Sequence, residues 1–249
     1  MIKLQFSFMS RCLGREAEVK VLLPNPDRIT PGSRIPTLYL LHGLTDCADT
    51  WLSRTSLERY CDDHNLAVVL PTAQRSFYCD MKYGDPWFTY VGEEIPEICE
   101  RLLPLVPDDA HRYIAGNSMG GYGAYKIALK HPGKFARVAA FSGVMDINGM
   151  IRDFPEYERD WFLCFGGSHA PGDEDLLELL PMAEALPEMY LYCGTDDFLA
   201  EGNRRFCRLC EELGLNLTSV WEEQGIHDWS YWDPQLVRVL DWLCTGPET

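Results

Sequence analysis

The sequence contains no apolar run near the roughly 18 residues that a membrane-spanning helix needs. It is also short of positive charge: 22 Lys and Arg stand against 38 Asp and Glu, a formal net charge of −16. Nucleic acids and anionic lipid surfaces are both held by clustered cations, so neither partner fits this balance. No Gly-x-x-x-x-Gly-Lys loop is present, and Gly121-x-Gly123 does not complete a dinucleotide fingerprint. Cys207-x-x-Cys210 has no second pair to bring a zinc site to four ligands. No metal and no cofactor is therefore expected. Internal repeats and low-complexity segments are absent as well.

What is present suits one domain over residues 1–249, with 46% hydrophobic residues for its core. Ten cysteines would suggest a disulfide scaffold in a small secreted protein, but this chain is too long and too apolar to need one. The opening MIKLQFSFMSR alternates apolar and polar residues, as a strand does and a signal peptide does not. Reduced thiols in a cytoplasmic protein are the resulting expectation. Nothing in the sequence decides between a monomer and a homo-oligomer.

Ile2 to Phe8 and Glu16 to Leu23 alternate and read as an opening antiparallel pair. Continuous apolar runs of buried-strand length follow at Thr37–Leu41, Leu66–Leu70, His111–Ala115, Arg137–Phe141, Glu188–Cys193 and Asn216–Trp221. Between them lie helical patterns over Trp51–Asn65, Gly92–Leu103, Met119–Lys130 and Ala200–Gly214, and Pro234–Cys244 closes the chain. This alternation predicts an α/β fold: a mostly parallel central sheet covered by helices on both faces. About residues 145–187 break the rhythm with acidic, aromatic and glycine residues, and read as a small cap-like insertion over one end of the sheet.

Gly116-Asn117-Ser118-Met119-Gly120 fits G-x-S-x-G and falls between an apolar strand and a helix. A nucleophilic serine needs that context. A sharp strand-to-helix turn lifts its hydroxyl from the carboxyl edge of the sheet, and the helix directs its positive end at a developing oxyanion. Ser118 is thus the candidate nucleophile; the plain alternative is a glycine-rich turn that only packs closely.

A serine hydroxyl needs a base, and the base an acid, in the order Ser, Asp or Glu, His. Three histidines follow Ser118. His131 suits a helix C-cap and His169 an insertion loop, whereas His227 follows the last strand, where the base belongs. Asp197 is preferred as the acid because it stands three residues after the turn glycine Gly194, with Asp196 as a solvated neighbour and Asp146 as a third choice. Two backbone N–H groups should form an oxyanion hole: Met119, which follows the serine, and Leu44 in Leu41-His42-Gly43-Leu44-Thr45. His42 reads as a residue that holds this loop. Trp51, Phe88 and Trp229 are candidates for substrate contact, with core packing as the competing role for any such aromatic.

Taken together, Leu41-His42-Gly43-Leu44-Thr45, Gly116 to Ala124, Cys193-Gly194-Thr195-Asp196-Asp197-Phe198 and His227-Asp228-Trp229 resemble the Putative esterase family of α/β-hydrolases over nearly the whole chain. That group includes tributyrin, feruloyl and acetylxylan esterases, esterase D (S-formylglutathione hydrolase) and mycolyltransferases. The resemblance implies an α/β-hydrolase fold and a serine carboxylesterase acting on short-chain or small aromatic acyl esters. It maps a triad to Ser118, Asp197 and His227 and the oxyanion donors to Leu44 and Met119. Thioester hydrolysis and acyl transfer use the same triad and stand as alternatives, as does a binding protein on this fold.

Overall fold

Strand β3 (Thr37–Leu41) displays the logic of the core. Its Leu38 and Leu40 join the hydrophobic cluster on one side of the sheet, and Tyr39 and Leu41 join the cluster on the other, as the two-residue period requires. The computed structural model, which describes residues 1–245, assembles eight such strands into one sheet. The others are β1 (Ile2–Met9), β2 (Glu16–Leu23), β4 (Ala67–Pro71), β5 (Arg112–Asn117), β6 (Arg137–Phe141), β7 (Glu188–Gly194) and β8 (Leu217–Glu222). Their order is β1-β2-β4-β3-β5-β6-β7-β8. β1 pairs antiparallel with β2 and β2 with β4, and every later pair is parallel. The central strands β3, β4 and β5 are buried throughout, whereas edge strand β1 alternates, which is why its sequence carried a period of two.

Helices α1 (Ala48–Arg54), α2 (Leu57–Asp63) and α10 (Trp229–Thr245) cover one face. The segment from α3 (Trp87–Thr89) to α4 (Ile95–Leu102), α5 (Met119–Lys130) and α9 (Ala200–Glu212) cover the other. Among the described residues no helix is long and apolar enough to cross a membrane. Residues 145–187 hold α6 (Ile147–Asp153), α7 (Glu158–Phe165), α8 (Leu176–Leu179) and short 3₁₀ turns.

Three helices depart from the sequence pattern, each for a local reason. The pattern over 51–65 is two helices because Thr55 is extended (φ −133°) and its hydroxyl accepts from Leu57 N–H, while Ser56 N–H donates to Asp233. The pattern over 92–103 starts earlier, at Trp87, and passes through a π-helical turn over Tyr90–Glu94. Pro96 has no N–H for the carbonyl of Gly92, which instead accepts from Lys134 Nζ. The last helix begins at Trp229 and not Pro234, because the Asp228 carboxylate accepts from Ser230 N–H and caps the first turn.

Candidate active site

The turn from β5 to α5 is strained where the sequence placed it. Ser118 has φ 54° and ψ −119°, a region that costs a non-glycine residue about 1–3 kcal/mol. Backbone bonds hold it there: its N–H donates to Phe141 O at 2.9 Å and its carbonyl accepts from Val144 N–H at 3.2 Å. Glycine at 120 is obligatory, since a Cβ there would stand 2.4 Å from Leu41 O. As the first residue of α5, Met119 has an N–H without an intrahelical acceptor.

Leu41 O is also the acceptor for Trp51 Nε1, at 3.0 Å. Beyond it, His42 ties down the loop that carries Leu44. It is fully buried; Ala73 N–H donates to its Nε2 at 2.9 Å, and its Nδ1 lies 2.7 Å from Gly43 O. The ring therefore accepts at Nε2 and donates from Nδ1, and burial lowers its pKa, so it stays neutral. Asp46 closes the turn by accepting from Gly43 N–H at 3.2 Å.

Two other loops meet at the same edge. Gly194 ends β7 against the backbone of the β8–α10 loop, so closely that a Cβ would lie 2.1 Å from Gly225 O. Thr195 N–H donates to Glu222 O at 2.9 Å and Asp196 N–H to Gly225 O at 3.0 Å, which stitches the loops together. The result puts His227 Nδ1 2.9 Å from Asp197 Oδ2 and 3.1 Å from Oδ1. Asp197 is 5% exposed, and its Oδ1 also accepts from Leu199 N–H at 2.8 Å. The Asp196 carboxylate accepts from its neighbour Thr195 Oγ1, and Asp146 is taken by Arg205 and by Gly149 N–H at the start of α6. The His227 ring is fixed by Phe198 at 4.3 Å and by the edge of Trp232 at 4.8 Å.

Ser118, His227, Leu44 and Met119 all line one cavity of about 280 Å³. Its remaining wall is largely apolar: Phe77, Val144, Met150, Phe198, Trp229 and Trp232. Of the proposed substrate contacts, Trp229 is there, but Trp51 and Phe88 are not. Trp51 is fully buried between Phe141 and Trp229, and its indole serves Leu41 O. Phe88 stacks on His131 at 5.1 Å, under the ammonium groups of Lys126 and Lys130. His131 caps α5 through Ile127 O, and His169 is exposed.

Several contributors gave no sequence signal. Phe77 and Tyr78 both have positive φ, 48° and 50°, though neither is a glycine. Lys126 of α5, fully buried, holds this loop by donating to Phe77 O at 3.1 Å and pairs with Glu174 of the insertion. Burial lowers the Lys126 pKa, but Cys79 and Glu174 outweigh it and leave the ammonium raised. Burial likewise pushes the Glu174 carboxyl up, and Lys126 brings it below the ordinary range. Arg75 forms a bidentate pair with Asp160 of α7, at 2.6 and 3.1 Å. Among the described residues no group of three or more His, Cys, Asp or Glu is arranged to hold a metal ion.

Comparison with known proteins places the chain in a family. The family model described as Putative esterase matches residues 10–243. An acetyl esterase from Caldicellulosiruptor saccharolyticus is 29% identical, over 98% of both chains. Among solved structures, the substrate-bound fluorophosphonate-binding serine hydrolase F of Staphylococcus aureus superposes with a TM-score of 0.88 at 28% identity, over 98% of both chains. The S-formylglutathione hydrolase of the same organism gives 0.84 at 29% identity, again over 98% of both. With its mostly parallel sheet covered on both faces, this chain belongs to the Putative esterase family and is a carboxylic ester hydrolase.

Proposed function

We propose that this esterase hydrolyses short-chain acyl esters through an acyl-enzyme on Ser118, with His227 as base and Asp197 as its orienting acid. The observation that carries the reading is the His227 Nδ1–Asp197 pair at 2.9 Å on the wall of the cavity that also holds Ser118. A proton on Nδ1, held by the carboxylate, leaves Nε2 free to accept the Ser118 proton. The Ser118 oxygen then attacks the ester carbonyl, and Leu44 and Met119 N–H groups receive the oxyanion. The imidazolium returns its proton to the leaving alcohol, and water activated by the same ring releases the acid. Asp197 stabilises the charged ring throughout without taking the proton.

The inner cavity of about 280 Å³ and the acetyl esterase relative both support a small acyl group. The S-formylglutathione hydrolase relative supports a thioester as the second reading, since the same steps expel a thiol. Ten free thiols support a cytoplasmic setting. Turnover of nitrophenyl acetate beside a formyl thioester panel tests both readings. Ser118→Ala should lower kcat by roughly 10⁵–10⁶ with the fold intact. Wild-type rates in Ser118→Ala would end the scheme.

A further inference from the structure

A second and larger hollow, about 750 Å³, opens beside the inner cavity. The two share Leu44, Thr45, Asp46 and Tyr157 as lining residues. Three of these belong to the loop with the proposed oxyanion donor; the fourth comes from the 3₁₀ turn Pro155–Tyr157 of the insertion. The two hollows thus meet where the oxyanion loop and the Tyr157 phenol ring line both. An ester attacked by Ser118 has its carbonyl carbon in the inner hollow, and its two arms share the space that continues past Leu44 and Tyr157 into the outer one.

The hollows differ in chemistry. The inner one sets Phe77, Val144, Met150, Phe198 and the two tryptophans beside Asp46 and Asn117, whereas the outer adds the charged side chains Arg75, Glu156, Arg159 and Asp160. Tyr157 is not a loose surface ring. The Arg75 guanidinium sits 5.6 Å from its centroid and is itself pinned by the buried Asp160 at 2.6 Å. Phe154 stacks on it at 6.3 Å, and Trp161 meets it edge-on at 6.1 Å.

We infer that Tyr157, positioned by the Arg75–Asp160 pair, is the specificity-determining wall that limits the acyl chain to the inner cavity and directs a polar leaving group into the outer hollow. The inference rests on the acyl-enzyme reading above and adds which side of the ester goes where. Tyr157 touches substrate; Arg75 is a positioning residue that acts through the ring.

The test is kcat/KM for nitrophenyl acetate, butyrate, hexanoate and octanoate, normalised to competent sites by burst titration with a fluorophosphonate. Tyr157→Ala should raise the hexanoate-to-acetate ratio tenfold or more, since each methylene admitted into an apolar site is worth about tenfold or more. Tyr157→Phe should keep the wild-type ratio. Arg75→Met should shift it in the same direction by a smaller factor, and Arg75→Lys should restore part of it. If Tyr157→Ala is not recovered folded, Tyr157→Leu carries the same expectation. Equal losses on every ester, or an unchanged hexanoate-to-acetate ratio, would overturn the assignment while Ser118→Ala remained inactive. Wild-type rates in Ser118→Ala would instead sink the acyl-enzyme reading, and this inference with it.

Discussion

The sharpest test of the proposed machinery is Asp197→Asn, because the hydrogen bonds around Asp197 dictate how the amide must sit. Leu199 N–H donates to Oδ1 at 2.8 Å, so an asparagine keeps its carbonyl oxygen there. Its NH₂ then occupies the Oδ2 position, 2.9 Å from His227 Nδ1. Two donors cannot face one another, so Nδ1 must accept and the ring proton moves to Nε2. The base is then in the wrong tautomer, and the charge that stabilised its protonated form is gone as well. A loss of about 10⁴ in kcat is expected, equivalent to ~5 kcal/mol of transition-state stabilisation. The assay is nitrophenyl acetate turnover at several pH values, with Asp196→Asn as control. The Asp196 carboxylate accepts from Thr195 Oγ1 and leaves the His227 ring to Asp197, so its variant should stay within twofold. In the Ser118→Ala background, Asp197→Asn should cost almost nothing further, because the groups act as one unit. A kcat for Asp197→Asn above a tenth of wild type would refute the assignment. So would a large loss in Asp196→Asn.

Two further predictions concern the frame around the site. In Gly120→Ala the new Cβ meets Leu41 O and His42 O at 2.4 and 2.8 Å, backbone atoms that cannot step aside; destabilisation of about 3 kcal/mol should lower Tm by roughly 6–12 °C. An unchanged Tm by calorimetry would contradict this close approach. Glu174→Gln leaves Lys126 charged and unpaired in the core, at a cost of about 3–5 kcal/mol near neutral pH in urea unfolding. Because the Glu174 carboxyl is depressed in the folded state, its contribution is complete above the unfolded carboxyl pKa and lost as pH falls through the folded one. Wild-type stability should therefore fall in the acid range below about pH 4, and Glu174→Gln should flatten that slope. An identical acid slope in both proteins would show that the pair is not linked to folding.

Much of the architecture was legible in the sequence because burial on both faces leaves a mark that needs no partner to read. The runs over residues 38–41 and 138–141 are apolar throughout, and both lie in inner strands. Gly116 to Gly120 announced its turn because the close approach of α5 to Leu41 excludes any side chain at position 120. The order of Ser118, Asp197 and His227 followed from strand-end loops gathering at one edge of a parallel sheet, and the stitching of Gly194 to Gly225 is what brings the last two into contact. Helix boundaries were less legible: the break at Thr55, the π-helical turn before Pro96 and the cap at Asp228 depend on single side-chain bonds.

The walls of the site could not be read along the chain at all. Trp51 and Trp229 look alike in sequence, yet one serves a backbone carbonyl in the core and the other lines the cavity. Lys126 sits in a helical pattern as any surface lysine would, and only the fold brings Glu174 to it across 48 residues. Tyr157 packs under the Arg75 guanidinium, which is held by Asp160 across 85 residues of chain. Local sequence fixes turns and strands because their causes lie within a few residues. The walls that select a substrate depend on which distant side chains become neighbours, and tertiary packing alone decides that.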